Sequence, residues 1–354
     1  VPIDSAGKDI ISKMLRQVLK VAGVNTMLAV AFLAIVFAGL ETWLRYFTGP
    51  SNVLHSWAGN VTEDRVLGYR LRGSVSKQGA LMEGDRLAYM VTYTTNESCW
   101  RVVPRPDTVT EEQFLAVFGG SFAYGMGVQD DETLSANLAQ EFPLHQPYLF
   151  AVGGYGTANV YELIQHPELM AIEEPQGVGL YLLFTGHLDR VEGTLNTSRW
   201  VSNFPFYVYE DNQLQHRDNF AAAHPWKHCV YGTLNQSRLL RMLKADWPLV
   251  PAYARPDTVA LTARLIAASA EQFKREYNDS PFYVVFYPRP DSPTLAAALT
   301  PHLDRLGVPY LTMHDLFDGL TYEERTVDRP GHPSPLANEM LAAEIARQLF
   351  PRMI

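Results

Sequence analysis

From Glu112 onward short apolar runs alternate with helix-patterned segments, and that alternation restricts the possible folds more than any other feature of the chain. The runs Phe114–Phe118, Tyr148–Val152, Val178–Phe184, Phe282–Tyr287 and Pro309–Met313 have strand length. The segments Glu132–Phe142, Thr157–Met170, Asp257–Tyr277, Pro293–Leu306 and Pro335–Leu349 carry the helical pattern. Strands that are largely apolar, joined by helices, belong to a parallel sheet covered on both faces. An α/β fold is therefore expected from Glu112 to the end. Residues 190–256 break the alternation and are rich in aromatics, among them Phe204, Phe206, Tyr207, Tyr209 and Trp226. An insertion of that length serves as a lid, a binding loop or a contact surface.

The first run leads into Val117-Phe118-Gly119-Gly120-Ser121-Phe122-Ala123-Tyr124-Gly125. Ser121 thus sits just past a strand end, between glycines and ahead of a helix, where open α/β sheets bind ligands. There its hydroxyl can meet a substrate, with backbone N–H groups nearby for an oxyanion. Two other strand ends carry Gly153-Gly154-Tyr155-Gly156 and Phe184-Thr185-Gly186-His187-Leu188-Asp189-Arg190. Before the last helix stands Val327-Asp328-Arg329-Pro330-Gly331-His332-Pro333-Ser334-Pro335. A histidine there reaches across the sheet edge, and a nearby carboxylate can hold its imidazole in the required tautomer.

Ahead of this region, Val21–Leu40 is uncharged and mostly Val, Ala, Leu, Ile, Phe and Met. A helix of about 20 such residues crosses a bilayer. Lys8, Lys13, Arg16 and Lys20 precede it, which places residues 1–20 in the cytoplasm and the main domain outside. We read 21–44 as an uncleaved signal anchor; a cleaved signal peptide and a buried soluble helix are the competitors. The amphipathic Ile10–Leu19 extends that helix or lies in the interface. Residues 45–111 form a β-rich prelude with no visible chemistry. The net charge of −9 argues against nucleic acid as a partner. Cys99 and Cys229 leave one disulfide or two free thiols open, and no metal site is indicated.

With these four loops in this order, Glu112–Ile354 resembles the SGNH (GDSL-like) hydrolases. The resemblance implies a flavodoxin-like three-layer sandwich with a parallel five-stranded sheet and no cofactor. It places the nucleophile on Ser121, an oxyanion-hole glycine on Gly154 and the base on His332. Gly120 stands where the family has an aspartate. The family's acidic partner lies three residues before the histidine, which is Arg329 here, so the role falls to Asp328. The third block lacks the family's oxyanion-hole asparagine, and His187 is expected to donate a ring N–H instead, its tautomer fixed by Asp189. The implied activity is ester hydrolysis or acyl (acetyl) transfer on an ester-bearing substrate. Membrane-tethered members of the bacterial type commonly act on acetyl groups of envelope polysaccharides outside the cytoplasmic membrane. The alternative is a non-catalytic subunit that keeps the fold within a complex of other membrane protein subunits.

Overall fold

The structure, a computed structural model, describes residues 5–47, 60–105 and 112–353. The rest of the expected prelude, 48–59 and 106–111, lies outside the described residues. The chain divides into two units: one holds 1–50 with 235–245, the other all remaining residues.

In the first unit, helix α1 (Ser5–Phe47) runs without a break, so Ile10–Leu19 extends the apolar helix. Ala22–Phe47 is long and apolar enough to cross a membrane, and none of its most apolar window is buried. Met27, Phe32 and Ile35 are exposed at 73, 65 and 71%. A helix apolar all round and unburied needs an apolar solvent.

In the second unit, five strands make one parallel sheet: β1 (Gln113–Gly119), β2 (Gln146–Ala151), β3 (Gln176–Leu183), β4 (Phe282–Phe286) and β5 (Tyr310–Leu311). Their order is β2-β1-β3-β4-β5, all pairs parallel, which is the flavodoxin-like arrangement. Helix α2 (Ser121–Tyr124) follows β1 directly. Helix α3 (Leu134–Glu141) packs on the terminal helix Pro335–Met353. Helix α4 (Thr157–Gln165) packs on α5 (Gly186–Glu192) and on Pro256–Glu276. The two helix groups flank a core in which Phe118 meets Phe150, Phe273 and Phe282 at ring distances of 5.4–5.9 Å.

Element ends depart from expectation for local reasons. The helix expected to reach Met170 stops at Gln165, because the residue before Pro167 is driven out of helical geometry. The helix expected from Glu132 starts at Leu134, where Thr133 Oγ1 caps the N–H of Ala136 at 3.1 Å. The edge strand β5 keeps only two of five expected residues, since Pro309 has no N–H to donate.

The prelude forms two hairpins, Val61–Asp64 with Gly68–Leu71 and Ser76–Glu83 with Arg86–Thr94. The insertion carries a third, Pro205–Glu210 with Gln213–Asn219, turned by Asp211 and Asn212, both at positive φ. Cys99 and Cys229 are free thiols.

Arg101, at the end of the prelude, is 1% exposed and holds the loop that follows α2. Its guanidinium donates to the carbonyls of Tyr124, Gly125 and Val128 at 2.6–2.7 Å and to Asp130 Oδ1 at 2.8 Å. Removing one partner of a buried, hydrogen-bonded charge typically costs about 3–5 kcal/mol. Arg101→Met should lose stability on that order in a denaturant titration; a loss under about 1 kcal/mol would show that the clamp is dispensable.

Candidate active site

Four loops at the carboxyl ends of the strands carry the expected residues. Gly119 ends β1, and Ser121 opens α2 with its hydroxyl making no hydrogen bond among the described residues. The neighbouring Phe122 stacks on Phe184 (4.5 Å) and sets its ring edge-on to His332 (5.3 Å). The imidazole therefore lies in the immediate surroundings of the serine turn.

Asp328 and His332 meet. His332 Nδ1 lies 2.6 Å from Asp328 Oδ2, and Asp328 is 2% exposed. Asp328 Oδ1 accepts the backbone N–H groups of Gly331 and His332, each at 3.0 Å. The turn closes by a Gly331 N–H to Asp328 carbonyl bond and requires φ +88° at Gly331. This turn absorbs the extra residue between acid and histidine. An ionised carboxylate only accepts, so Nδ1 carries the proton and Nε2 keeps its lone pair. Arg329, at the family's usual acid position, points away: its backbone N–H bonds Glu83 Oε1 at 2.6 Å, and its side chain is 84% exposed.

Gly154 takes φ +94°, and its N–H makes no hydrogen bond among the described residues. A methyl group there would lie 2.3 Å from the Tyr69 hydroxyl and 3.3 Å from Trp200. Tyr69 donates to the Gly153 carbonyl at 2.5 Å. A prelude side chain and an insertion side chain thus stand over the second loop.

The third block differs from expectation. His187 is fully buried, with Nδ1 at 2.8 Å from the Tyr181 hydroxyl, which in turn meets Thr157 Oγ1 at 2.9 Å. Tyr181, not Asp189, orients the ring. Residues two apart on a helix do not face each other, and α5 carries both His187 and Asp189. His187 Nε2 is shut away without a partner, about 3.0 Å from where a Cβ on Gly120 would be. Burial, reinforced by the Arg190 charge, holds the imidazole well below its ordinary pKa, so it is neutral. Its unpaired nitrogen is closed off from solvent.

Asp189 instead approaches Arg255 (3.9 Å). Its carboxyl is pushed up to about 6, first by burial and then by Asp246. A folded-state pKa raised above the unfolded value near 3.9 means that the native state binds the extra proton between about pH 4 and 6. Stability from this group is present below that window and is lost as pH rises through it. Asp189→Asn should accordingly gain Tm relative to the parent as pH rises from 4 to 6, with the gain level above pH 7. A pH-independent difference would contradict it.

Arg190 was not singled out by the sequence and is the main addition. Its side chain runs between the first and second loops. A Cβ on Gly120 would come 2.7 Å from Arg190 Nη1, and one on Gly156 would come 2.9 Å from Arg190 Cβ. Gly120 has φ −97° and Gly156 φ −129°, values open to any residue, so space and not conformation requires glycine at both. Nη1 donates to the Tyr155 carbonyl at 2.5 Å, Nε is buried without a partner, and no carboxylate pairs with the guanidinium among the described residues. Burial holds its pKa below the ordinary value. The cation also lies over the Phe184 ring at 5.2 Å. The available signal was the glycine at position 120 where the family carries an aspartate. Asp291 is half-buried and accepts the Thr185 hydroxyl at 2.5 Å.

No family model matches the chain, and no curated protein matches it. Solved structures do. A member of the lipolytic protein G-D-S-L family from Veillonella parvula aligns at TM-score 0.41 and 10% identity, over 68% of this chain and 99% of that one. A lipase/acylhydrolase from Enterococcus faecalis aligns at TM-score 0.37 and 10% identity, over 68% and 96%. An acetyl xylan esterase from the rumen bacterium Butyrivibrio proteoclasticus aligns at TM-score 0.37 and 13% identity, over 71% and 66%. Likenesses this distant do not carry an activity across.

Proposed function

We propose that the chain is a membrane-anchored serine ester hydrolase or acyl transferase of the SGNH type. The observation that carries this reading is the 2.6 Å Asp328–His332 pair, whose imidazole lies edge-on to Phe122, the residue after the strand-end serine. In the first step Ser121 Oγ bonds to the ester carbonyl carbon while its proton passes to His332 Nε2. The tetrahedral intermediate collapses, the ester C–O bond breaks, and the leaving alcohol takes the proton from Nε2. Water or an acceptor alcohol then repeats the sequence on the acyl-serine. Asp328 stabilises the imidazolium formed in each half.

The oxyanion would be met by the N–H groups of Ser121 and Gly154 and by Arg190. A guanidinium with no carboxylate partner, placed between the two loops, supplies the charge that the missing asparagine would have supplied as a dipole. Carrying a charge into a largely buried place with only the Asp189 carboxylate, outside ion-pair distance, to offset it is costly, and a developing oxyanion would be a closer counter-ion. His187 is held within the core by Tyr181.

The main domain is assigned to the extracytoplasmic side of a bacterial inner membrane on the charge asymmetry around α1, with acetylated envelope polysaccharide as the substrate class. A second reading, a non-catalytic subunit of a membrane complex, is favoured by Tyr69 and Trp200 standing over Gly154. The test is to treat the detergent-solubilised protein with a fluorophosphonate and measure intact mass and p-nitrophenyl acetate turnover. A single adduct on Ser121 together with turnover supports the enzyme. A folded protein that takes no adduct and shows no turnover supports the scaffold.

A further inference from the structure

The insertion returns to the membrane helix. Within the first unit, Asn235–Ala245 contains helix α6 (Arg238–Met242), and this segment is fastened to the C-terminal turns of α1. Glu41 accepts the Ser237 hydroxyl at 2.9 Å and the backbone N–H groups of Arg238 and Leu239 at 2.9 and 3.0 Å. Arg238 Nη1 donates to the Leu44 carbonyl at 2.9 Å, and Arg45 Nη2 to the Gln236 carbonyl at 3.2 Å. Residues almost 200 positions apart thus share one polar clamp.

The clamp sits at a defined depth. The uncharged stretch Val21–Leu40 is about 30 Å long as a helix, matching the hydrocarbon core of a bilayer. Glu41 is the first charged residue past it, so the turns from Glu41 to Phe47 fall in the headgroup layer. Trp43, Tyr46 and Phe47 there are 53, 82 and 75% exposed, as interfacial aromatics are. The same segment exposes Met242 and Leu243 at 61 and 64%, flanked by exposed Arg241 and Lys244. Two unburied apolar side chains between cations match an anionic lipid surface, which takes the methyl groups into its acyl boundary and the cations at its headgroups.

We infer that Asn235–Ala245 is a second membrane contact, lying in the interface beside the C-terminal end of α1 and holding the insertion to the bilayer. The inference rests on α1 crossing the membrane and is independent of the catalytic assignment.

The experiment uses the full chain in a Cys99→Ser, Cys229→Ser background, one copy per nanodisc, with a bimane on a single cysteine. The sites are Leu33→Cys in mid-helix and Leu243→Cys in the segment, each compared with the same variant in unbrominated lipid. Brominated phosphatidylcholine is the quencher. Deeply brominated lipid should quench Leu33→Cys, and lipid brominated near the headgroup should quench Leu243→Cys at least twofold. Adding phosphatidylglycerol should strengthen the Leu243→Cys signal, and Arg241→Glu with Lys244→Glu should reverse that gain. Glu41→Ala should at least halve quenching at Leu243→Cys while leaving Leu33→Cys unchanged. Quenching at Leu33→Cys with none at Leu243→Cys overturns the inference and points to a protein partner on these side chains. No quenching at Leu33→Cys removes its foundation in α1.

Discussion

Ser121→Ala and His332→Ala should each lower turnover of an activated acetyl ester at least about a thousandfold, and the double variant should be little worse than either alone. The non-additivity follows because nucleophile and base act as one unit: without the base the hydroxyl is not activated, and without the hydroxyl the base has nothing to deprotonate. Asp328→Asn should cost less than either, since Ser121 and His332 remain in place. It should still reduce kcat substantially. The amide can present its N–H₂ to Nδ1 and so favour the tautomer with the proton on Nε2, where the base must be unprotonated. Asp328 also anchors its own turn through the N–H groups of Gly331 and His332, so the variant is to be compared at matched Tm. Turnover of Ser121→Ala at the parental level would end the catalytic assignment.

Arg190→Met should reduce kcat by about 100- to 1000-fold, the usual cost of losing one oxyanion donor, with KM nearly unchanged. The methionine chain keeps much of the aliphatic packing between Gly120 and Gly156 and removes only the charged head. Arg190→Lys should restore part of the rate, because it returns a charge but not the planar fork that reaches the Tyr155 carbonyl. Gly120→Ala would bring its methyl group to 2.7 Å from both Nη1 and the Tyr155 carbonyl, so it should displace the guanidinium and the turn together and lower kcat. A folded Arg190→Met with parental kcat would show that the cation serves the turn and not the reaction. A rise in KM with kcat unchanged would move its role to binding an anionic part of the substrate.

For His187 the sequence located the loop but not the surroundings of the side chain. The sequence located the third loop, and β3 does end at Leu183, just before it. The residue type invited the donor role that an asparagine has in the family. Yet the ring stacks on Tyr181 and lies against Phe184 at 4.5 Å, because an imidazole at the start of α5 reaches the core before it reaches solvent. The side chain that reaches the gap between the loops comes three residues later, one turn along α5. Nothing local in Gly186-His187-Leu188-Asp189-Arg190 announces which of its polar residues faces the turn.

The sequence by itself determined the parallel sheet, the apolar N-terminal helix, the strand-end serine and the pairing of Asp328 with His332. Each of these rests on short-range chemistry: a run of apolar residues, a 20-residue uncharged stretch, a glycine turn, and an acid four residues from a histidine. Tertiary structure alone decided that Arg190 fills the space vacated at Gly120 and Gly156, that Arg101 of the prelude clamps the loop after the serine, and that Ser237–Leu239 closes on Glu41. Those contacts join residues from 23 to 198 positions apart. They leave no period in the sequence, because a side chain's partner across space is set by how whole elements pack and not by the residues beside it.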